Sequence, residues 1–377
     1  MYINFWYPVG KSDEITADEP YRTEILGLKF VAFRDEKGKP HVLSDTCVHR
    51  GGSLSKGWIK EGRVVCPYHG WRFNGDGKCT TIPSIGYDGK PPARAKVDSY
   101  PVQEKYGIVF AFLGDLPEQE RPPLYDIEEY ETDEWRLTDM IILDVDFYFE
   151  RSIENGLDPA HNEFVHPAQG APAIDPIYYK KPLDPEDAPW GSGFTVTFSD
   201  RRLKDTELME LRNEGNTSAG SFYRGPNTLV TWIHFSSTNS FHQYFFEAPV
   251  DENHTRIFFI NLRNCMLQPE MDDNIRNLNM RIAEEDIAIL KELNPMRTPD
   301  SNIKETFMPT DQLVVRYREH LKGWENKGWR IDWNALKGKQ GDVAYAIPCP
   351  DRRKSGNWVL DTVPLIAPGQ ERKVAAE

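Results

Sequence analysis

No stretch of this 377-residue chain stays apolar for the roughly 18 residues that a membrane span needs. The best candidate, MIILDVDFYF, carries Asp144 and Asp146 within it, so a soluble protein with no membrane span is expected. Cysteine is scarce. There are five, an odd number, and only Cys47, Cys66 and Cys79 fall in one region. That argues against a disulfide framework and for a reducing cytoplasm, where clustered cysteines more often bind metal or do redox work. The first residues, MYINFWYPVGKSDE, have no basic segment followed by an apolar core, so no secretory signal is expected. No block of lysine and arginine stands out against the net charge of −14, which makes nucleic acid a poor partner.

What is present is ample material for cores: 39% hydrophobic residues, 12% of all residues being aromatic. The length suggests two domains. From Tyr21 to Leu113 the pattern is of short strands. EILGLKFVAFRDEKGKPHVLSD reads as a hairpin bent at Lys37–Pro40, and YGIVFAFLG as a buried strand. The polar, proline-dotted DLPEQERPPLYD is the candidate linker. Beyond it, MIILDVDFYFE, GFTVTF, TLVTWIHFSS, SFHQYFFEAPV and TRIFFINLR read as strands, and APAIDPIYYKKPLDPEDAPWGSG as a long loop. Amphipathic helices come late, in MDDNIRNLNMRIAEEDIAILKELN and PTDQLVVRYREHLKGW.

Two short loops concentrate the metal-binding chemistry. Cys47 and His49 lie in CVHRGG, and Cys66 and His69 in CPYHGW, each pairing one thiolate with one imidazole. A structural zinc site more often keeps like ligands together. The mixture better suits a cluster of two unlike irons, one taking both thiolates and the other both imidazoles, with a raised reduction potential. Gly51, Gly52 and Gly70 suit loops that approach cluster sulfurs closely. Trp71 could shield the group, and Cys79 lies outside both pairs.

A second constellation lies in ENGLDPAHNEFVHP, where His161 and His166 are five residues apart with Asp158 before them. Two histidines and one carboxylate on one face of an iron leave positions open for oxygen. The late helix offers the carboxylate. Ile275, Leu278, Ile282, Asp286, Ile289 and Leu293 recur at helical steps, so one stripe is apolar except at Asp286. A metal would answer that charge, and so would an arginine from the sheet. Glu284 and Glu285 fall off the stripe, where solvation is expected. Histidines at i and i+5 do not share a helix face, so the turn should depart from regular α-helix at or just before His166. Asp158 should lie beside His161 and accept the proton on its non-ligating nitrogen. His234, Phe241, His242, Tyr244 and Phe246 could line a substrate pocket, or simply fill the core.

CVHRGG…CPYHGWRFNGDGKC resembles the Rieske signature and matches it at all four ligand positions. ENGLDPAHNEFVH is similar to the iron-binding segment of Rieske non-haem iron oxygenases, and EEDIAILKELNP and PTDQLVVRYREHL to their C-terminal helices. The resemblance implies an α+β architecture. A small all-β Rieske [2Fe–2S] domain would occupy 1–119, and a helix-grip, START-like catalytic domain, with an antiparallel sheet flanked by helices, 120–377. It implies Cys47, His49, Cys66 and His69 as cluster ligands, and His161, His166 and Asp286 as ligands of a mononuclear Fe(II). Asn155 would sit close to that iron. Asp158 would bridge to His69 of a neighbouring subunit in a head-to-tail homotrimer. The implied activity is that of a terminal oxygenase. Electrons from NAD(P)H would arrive through a ferredoxin or flavin reductase, and O2 would hydroxylate or oxidatively demethylate an aromatic or polycyclic small molecule. The alternative is an electron carrier whose second domain only docks a partner.

Overall fold

The computed structural model describes residues 1–199 and 217–369. They form two compact units: 1–124 together with the segment from Trp324 onward, and Tyr125–Gly323. In the N-terminal part of the first unit, up to Leu124, the strands are β1 (Phe5–Lys11), β2 (Tyr21–Ile25), β3 (Leu28–Arg34), β4 (Pro40–Ser44), β5 (Trp58–Lys60) and β6 (Arg63–Val65). They are followed by β7 (Arg72–Phe73), β8 (Cys79–Thr81), β9 (Ser99–Tyr100), β10 (Val102–Lys105) and β11 (Ile108–Leu113). These make three sheets, ordered β1-β11-β10, β2-β3-β4-β9 and β5-β6-β7-β8. All six residues of β11 are buried, because it is the middle strand of its sheet and covered on both faces. Hence its run is continuous rather than alternating. The expected bend falls where Asp35 Oδ1 accepts from the amides of Lys37 and Lys39, between β3 and β4.

The reading that gave everything after 119 to the second domain is corrected at its end. The C-terminal segment belongs with the first unit, for identifiable reasons. Trp324 and Trp329 meet Phe5 edge-on at 4.8 and 5.8 Å. Arg352 binds the fully buried Asp98 through two hydrogen bonds of 2.6 and 2.8 Å, and the Tyr100 hydroxyl donates to the Ile347 carbonyl at 2.8 Å. Without Arg352, Asp98 would be a buried, uncompensated charge.

The second unit is built on one seven-stranded antiparallel sheet. Its strands are β12 (Arg136–Val145), β13 (Ala173–Ile174), β14 (Gly191–Ser199), β15 (Ser218–Arg224), β16 (Thr228–His234), β17 (Ser240–Pro249) and β18 (Thr255–Arg263), in the order β12-β18-β17-β16-β15-β14-β13. Helices α1 (Phe149–Gly156), α2 (Asn162–Val165), α3 (Asp272–Leu290) and α4 (Gln312–Asn326) accompany it. The stretch read as one strand, MIILDVDFYFE, ends at Val145; after an exposed Asp146 the chain turns into α1. α3 starts on Asp272 and Asp273, acidic residues that suit a helix N-terminus. Asp272 also holds the helix to the sheet, through Arg136 at 2.5 Å and through the fully buried Arg263.

Four charges tie α1 to α4. Arg318 donates to Glu154 and Glu305 at 2.6 Å each, and Arg151 reaches the same two carboxylates at 3.1 and 3.0 Å. Two positive and two negative groups cancel in a buried setting, where removing one would strand the rest.

Glu247 on β17 has no such compensation. It is fully buried, neither carboxylate oxygen has a well-formed hydrogen bond, and burial raises its pKa from the usual 4.5 to about 8, with only the Ser152 hydroxyl opposing. The folded state therefore keeps a proton that the unfolded chain loses, so stability falls as pH rises between those two values, on the order of several kcal/mol in all. Below the lower value both states are protonated and the penalty vanishes. Glu247→Gln is expected to raise the melting temperature by several degrees at pH 8 and by much less at pH 5, read from thermal unfolding at the two pH values. Equal shifts at both would contradict this account.

Candidate metal centres

The two Cys-His loops close in the same way despite their different spacing. The Cys47 carbonyl accepts from Gly51 N at 2.9 Å and its amide donates to the Gly52 carbonyl at 2.8 Å; Cys66 does the same with Gly70 and Trp71, at 2.9 and 2.8 Å. The turn requires a left-handed residue, which glycine supplies at φ 71° in Gly51 and 70° in Gly70. Gly52 is demanded by space, since a Cβ there would lie 3.0 Å from Cys66 Sγ. The loops thus hold two buried thiols together, and the hydrogen bond between them lowers Cys66 to about 6 while raising Cys47.

The imidazoles come together on the same side. His49 and His69 lie 4.4 Å apart between ring centres, and Trp71 stacks flat on His49 at 4.6 Å. His49 Nδ1 is shielded from solvent and has no hydrogen-bond partner, a vacancy that a metal would fill. Among the described residues, the set of three or more potential ligand atoms lying within 4.8 Å of one another is elsewhere, and these four residues do not form one. A single ion would need such a set, whereas a binuclear cluster needs separated pairs. The arrangement fits [2Fe–2S]. Cys79 stands apart on β8, its thiol pushed up to about 11 by burial and directed at the Thr81 carbonyl at 3.5 Å.

The set that does converge is His161, His166 and Asp286. His161 Nε2 and His166 Nε2 are 3.1 Å apart, and Asp286 Oδ1 lies 3.6 Å from the first and 3.3 Å from the second. The other ring nitrogens fix the tautomers. His166 Nδ1 faces Glu285 Oε2 at 3.0 Å, and His161 Nδ1 faces the Asp158 carbonyl. Both Nδ1 atoms are therefore donors, which leaves both Nε2 atoms with lone pairs turned toward each other and toward a carboxylate. With both rings neutral, three acceptors face one point, an arrangement that a cation stabilises. Burial disfavours the charged form of His161; in His166 burial is outweighed by Asp286 and Glu285, so its pKa rises.

The local fold explains how residues five apart meet. α2 is a single turn of four residues, with His161 just before it and His166 already outside helical geometry at φ −109°, ψ 68°. Its departure at His166 is the one expected from the spacing. Asp286 arrives from α3, and Asn155 Nδ2 of α1 donates to Asp286 Oδ1 at 3.0 Å.

Three expectations need correction. Glu285 is not a solvated bystander: besides His166 it accepts from Ala168 N at 3.1 Å, locking the chain just beyond α2. Asp158 approaches His161 with its backbone carbonyl, while its carboxylate accepts from Ala160 N at 2.8 Å. Ile289 is about half exposed, and the buried stripe of α3 ends on Leu290 instead.

A cavity of about 190 Å³ opens beside the triad. β17 turns Phe241, Gln243 and Phe245 into it. Of the five pocket candidates only Phe241 lines it, because strand alternation sends His242 and Tyr244 to the other face, where both bind Glu129.

Residues 5–101 match the Rieske [2Fe-2S] domain, and residues 193–327 the vanillate O-demethylase oxygenase C-terminal domain. Chloroplastic chlorophyllide a oxygenase of Chlamydomonas reinhardtii is 31% identical over 336 residues, covering 85% of this chain and 48% of that protein. 4beta-methylsterol monooxygenase of Methylococcus capsulatus is 28% identical over 268 residues, covering 70% of this chain and 69% of that protein. The solved structure of Pseudomonas putida CBB5 NdmB superposes with a TM-score of 0.70 at 24% identity, covering 86% of this chain and 90% of that one. The chain spans less than half the length of the first curated relatives it matches, 48% and 43%. Fold and domain matches together define an iron–sulfur protein with an oxygenase-type C-terminal domain. The chain therefore joins a Rieske domain to the C-terminal domain of an oxygenase family, and the relatives it matches are named oxygenases and monooxygenases.

Glu285→Ala should lower the affinity of the triad for a divalent metal about 10- to 100-fold by freeing the His166 ring, with the Rieske cluster spectrum unchanged. Metal retained after dialysis against a graded chelator series measures this. Full retention would show that Glu285 does not orient the ring.

Proposed function

We propose that this chain is the oxygenase component of a multicomponent enzyme, holding one Rieske cluster at Cys47, His49, Cys66 and His69 and one mononuclear Fe(II) at His161, His166 and Asp286. The observation that carries the reading is the convergence of two Nε2 lone pairs and a carboxylate oxygen, with Nε2 atoms 3.1 Å apart. Iron held by three such groups keeps positions open and supplies oxygen activation. The chain's own residues do the rest. Glu285 keeps the proton on His166 Nδ1, and the Asp158 carbonyl keeps it on His161 Nδ1. Asn155 holds one oxygen of Asp286 in place. The cavity seats the substrate against this group and keeps water out with apolar walls.

The substrate is an aromatic or polycyclic small molecule, hydroxylated or oxidatively demethylated. Two similarities support that range: to the vanillate O-demethylase oxygenase C-terminal domain and to the methylsterol monooxygenase. A cavity of about 190 Å³ exceeds the ~150 Å³ apolar cavity that accommodates benzene. Electrons come from NAD(P)H through a ferredoxin or flavin reductase in the cytoplasm. The assembly is a head-to-tail homotrimer in which Asp158 links the iron-ligand histidine to His69 of a neighbouring copy.

Two measurements test the reading. Purified protein should contain three irons per chain and consume O2 in a substrate-dependent way when given reductant and a panel of aromatic and polycyclic compounds. Two irons per chain would instead indicate an electron carrier. Asp158→Asn can still accept from Ala160 N, so the turn should survive. The variant is expected to keep all its iron and lose coupled turnover; iron-free protein would refute the linking role.

A further inference from the structure

Deepening the oxygenase reading, the second inference concerns what the cavity recognises. α3 lines one wall, and Asn279 and Asp286 stand seven residues apart on the same face. That is two helical turns, or ~10.5 Å along the axis. Between them the helix offers Ile282 and Ala283, and β17 opposite presents Phe241, Gln243 and Phe245 in turn. The floor near the triad is polar, and two helical turns away Asn279 and Gln243 return a polar group, with Phe241 and Phe245 on either side of Gln243.

That far group is an amide chain with an open end. Gln243 Nε2 donates to Asn261 Oδ1 at 3.3 Å and to Asn279 Oδ1 at 3.4 Å, and Asn261 Nδ2 donates onward to Thr138 Oγ1 at 3.2 Å. Arg263 Nη1 donates to the same Thr138 oxygen at 2.7 Å and anchors the row. Asn279 is only 4% exposed, yet its Nδ2 has no hydrogen-bond partner. Turning all three amides over together preserves the row and puts an oxygen in place of that nitrogen. In either sense Asn279, which lines the cavity, keeps an unsatisfied hydrogen-bonding atom shielded from solvent. A buried polar atom of this kind stands in need of a partner.

We propose that Asn279, supported by Gln243 and Asn261, is the specificity determinant for a neutral substrate bearing a hydroxyl or keto oxygen about two fused rings away from the carbon that reacts. A hydroxyl can serve either sense of the amide. Carboxylate substrates are disfavoured. Among the described residues, no lysine or arginine lines the cavity, and the charged groups that do are Asp158 and Asp286. An anion placed at the Asn279 end would be buried without a counter-charge.

The test is calorimetric titration of the holoprotein with 2-naphthol, naphthalene and 2-naphthoate, which share a frame and differ in the oxygen function. 2-Naphthol is expected to bind about five- to tenfold more tightly than naphthalene, with 2-naphthoate weakest. Asn279→Leu and the less intrusive Asn279→Ala should each bring 2-naphthol down to the affinity of naphthalene, leaving naphthalene itself no weaker. A purely structural role would weaken both neutral ligands alike, so the ratio is the readout. Tightest binding by 2-naphthoate, or an unchanged ratio in both variants, would overturn the proposal. Iron content and cluster spectrum measured on the same samples keep the question separate: their loss with the ratio intact would tell against the oxygenase reading alone.

Discussion

The second unit depends on a repulsion. With both rings neutral, two imidazole lone pairs and a carboxylate oxygen are held within 3.6 Å of one another. In a flexible chain these groups would turn away from each other into water. They do not, because the opposite end of each is engaged: Glu285 on His166, a backbone carbonyl on His161, Asn155 on Asp286. The geometry suited to a metal is thus fixed by the fold before any metal arrives, which is how a site gains affinity without reorganising on binding.

That demand reaches outward. Asn155 stands on α1, whose Glu154 is held by Arg318 of α4 and whose Arg151 shares Glu305 with the same arginine. Asp286 and Glu285 stand on α3, tied at its start to Arg136 and Arg263 of the sheet. One helix supplies both a converging carboxylate and the carboxylate that steers the histidine opposite. A shift of α3 along its axis would therefore disturb two partners at once, and the buried Arg263–Asp272 pair resists that shift. Glu247 is the exception, a buried acid with no such task apparent in its contacts.

Legibility in the sequence followed the range of the interaction. The Cys-His loops close on themselves within five residues, so their spacing, their glycines and their ligand types could all be read in order along the chain. Asp286 was legible because a charge interrupted an apolar stripe. Glu285 was not: one position along the helix, it differs from its solvated neighbour Glu284 only in what the fold brings opposite it. The same limit explains Asp158, where the carbonyl rather than the carboxylate meets His161. It explains β15, where SAGSFYR offers too few apolar residues to announce a strand. It also explains the return of the C-terminal segment to the first unit, which rests on Arg352 meeting Asp98, 254 residues away.

The two centres solve opposite problems. In the first, softness of the ligands is the issue: two thiols must be kept close, and short loops with left-handed glycines do this locally. In the second, access is the issue, since groups that could hold a metal must leave room on one side. Drawing the three converging groups from the flanks of α2 and from α3 puts them all at one wall, with the sheet forming the other wall of the cavity at a distance set by α3. Pocket and triad are therefore one construction. The alternation of β17 carries this further, since Phe241, Gln243 and Phe245 face the cavity while His242 and Tyr244 face away. A one-residue slip in that strand would swap an apolar cavity wall for a histidine and a tyrosine, and the paired register with β16 and β18 on both sides is what forbids it.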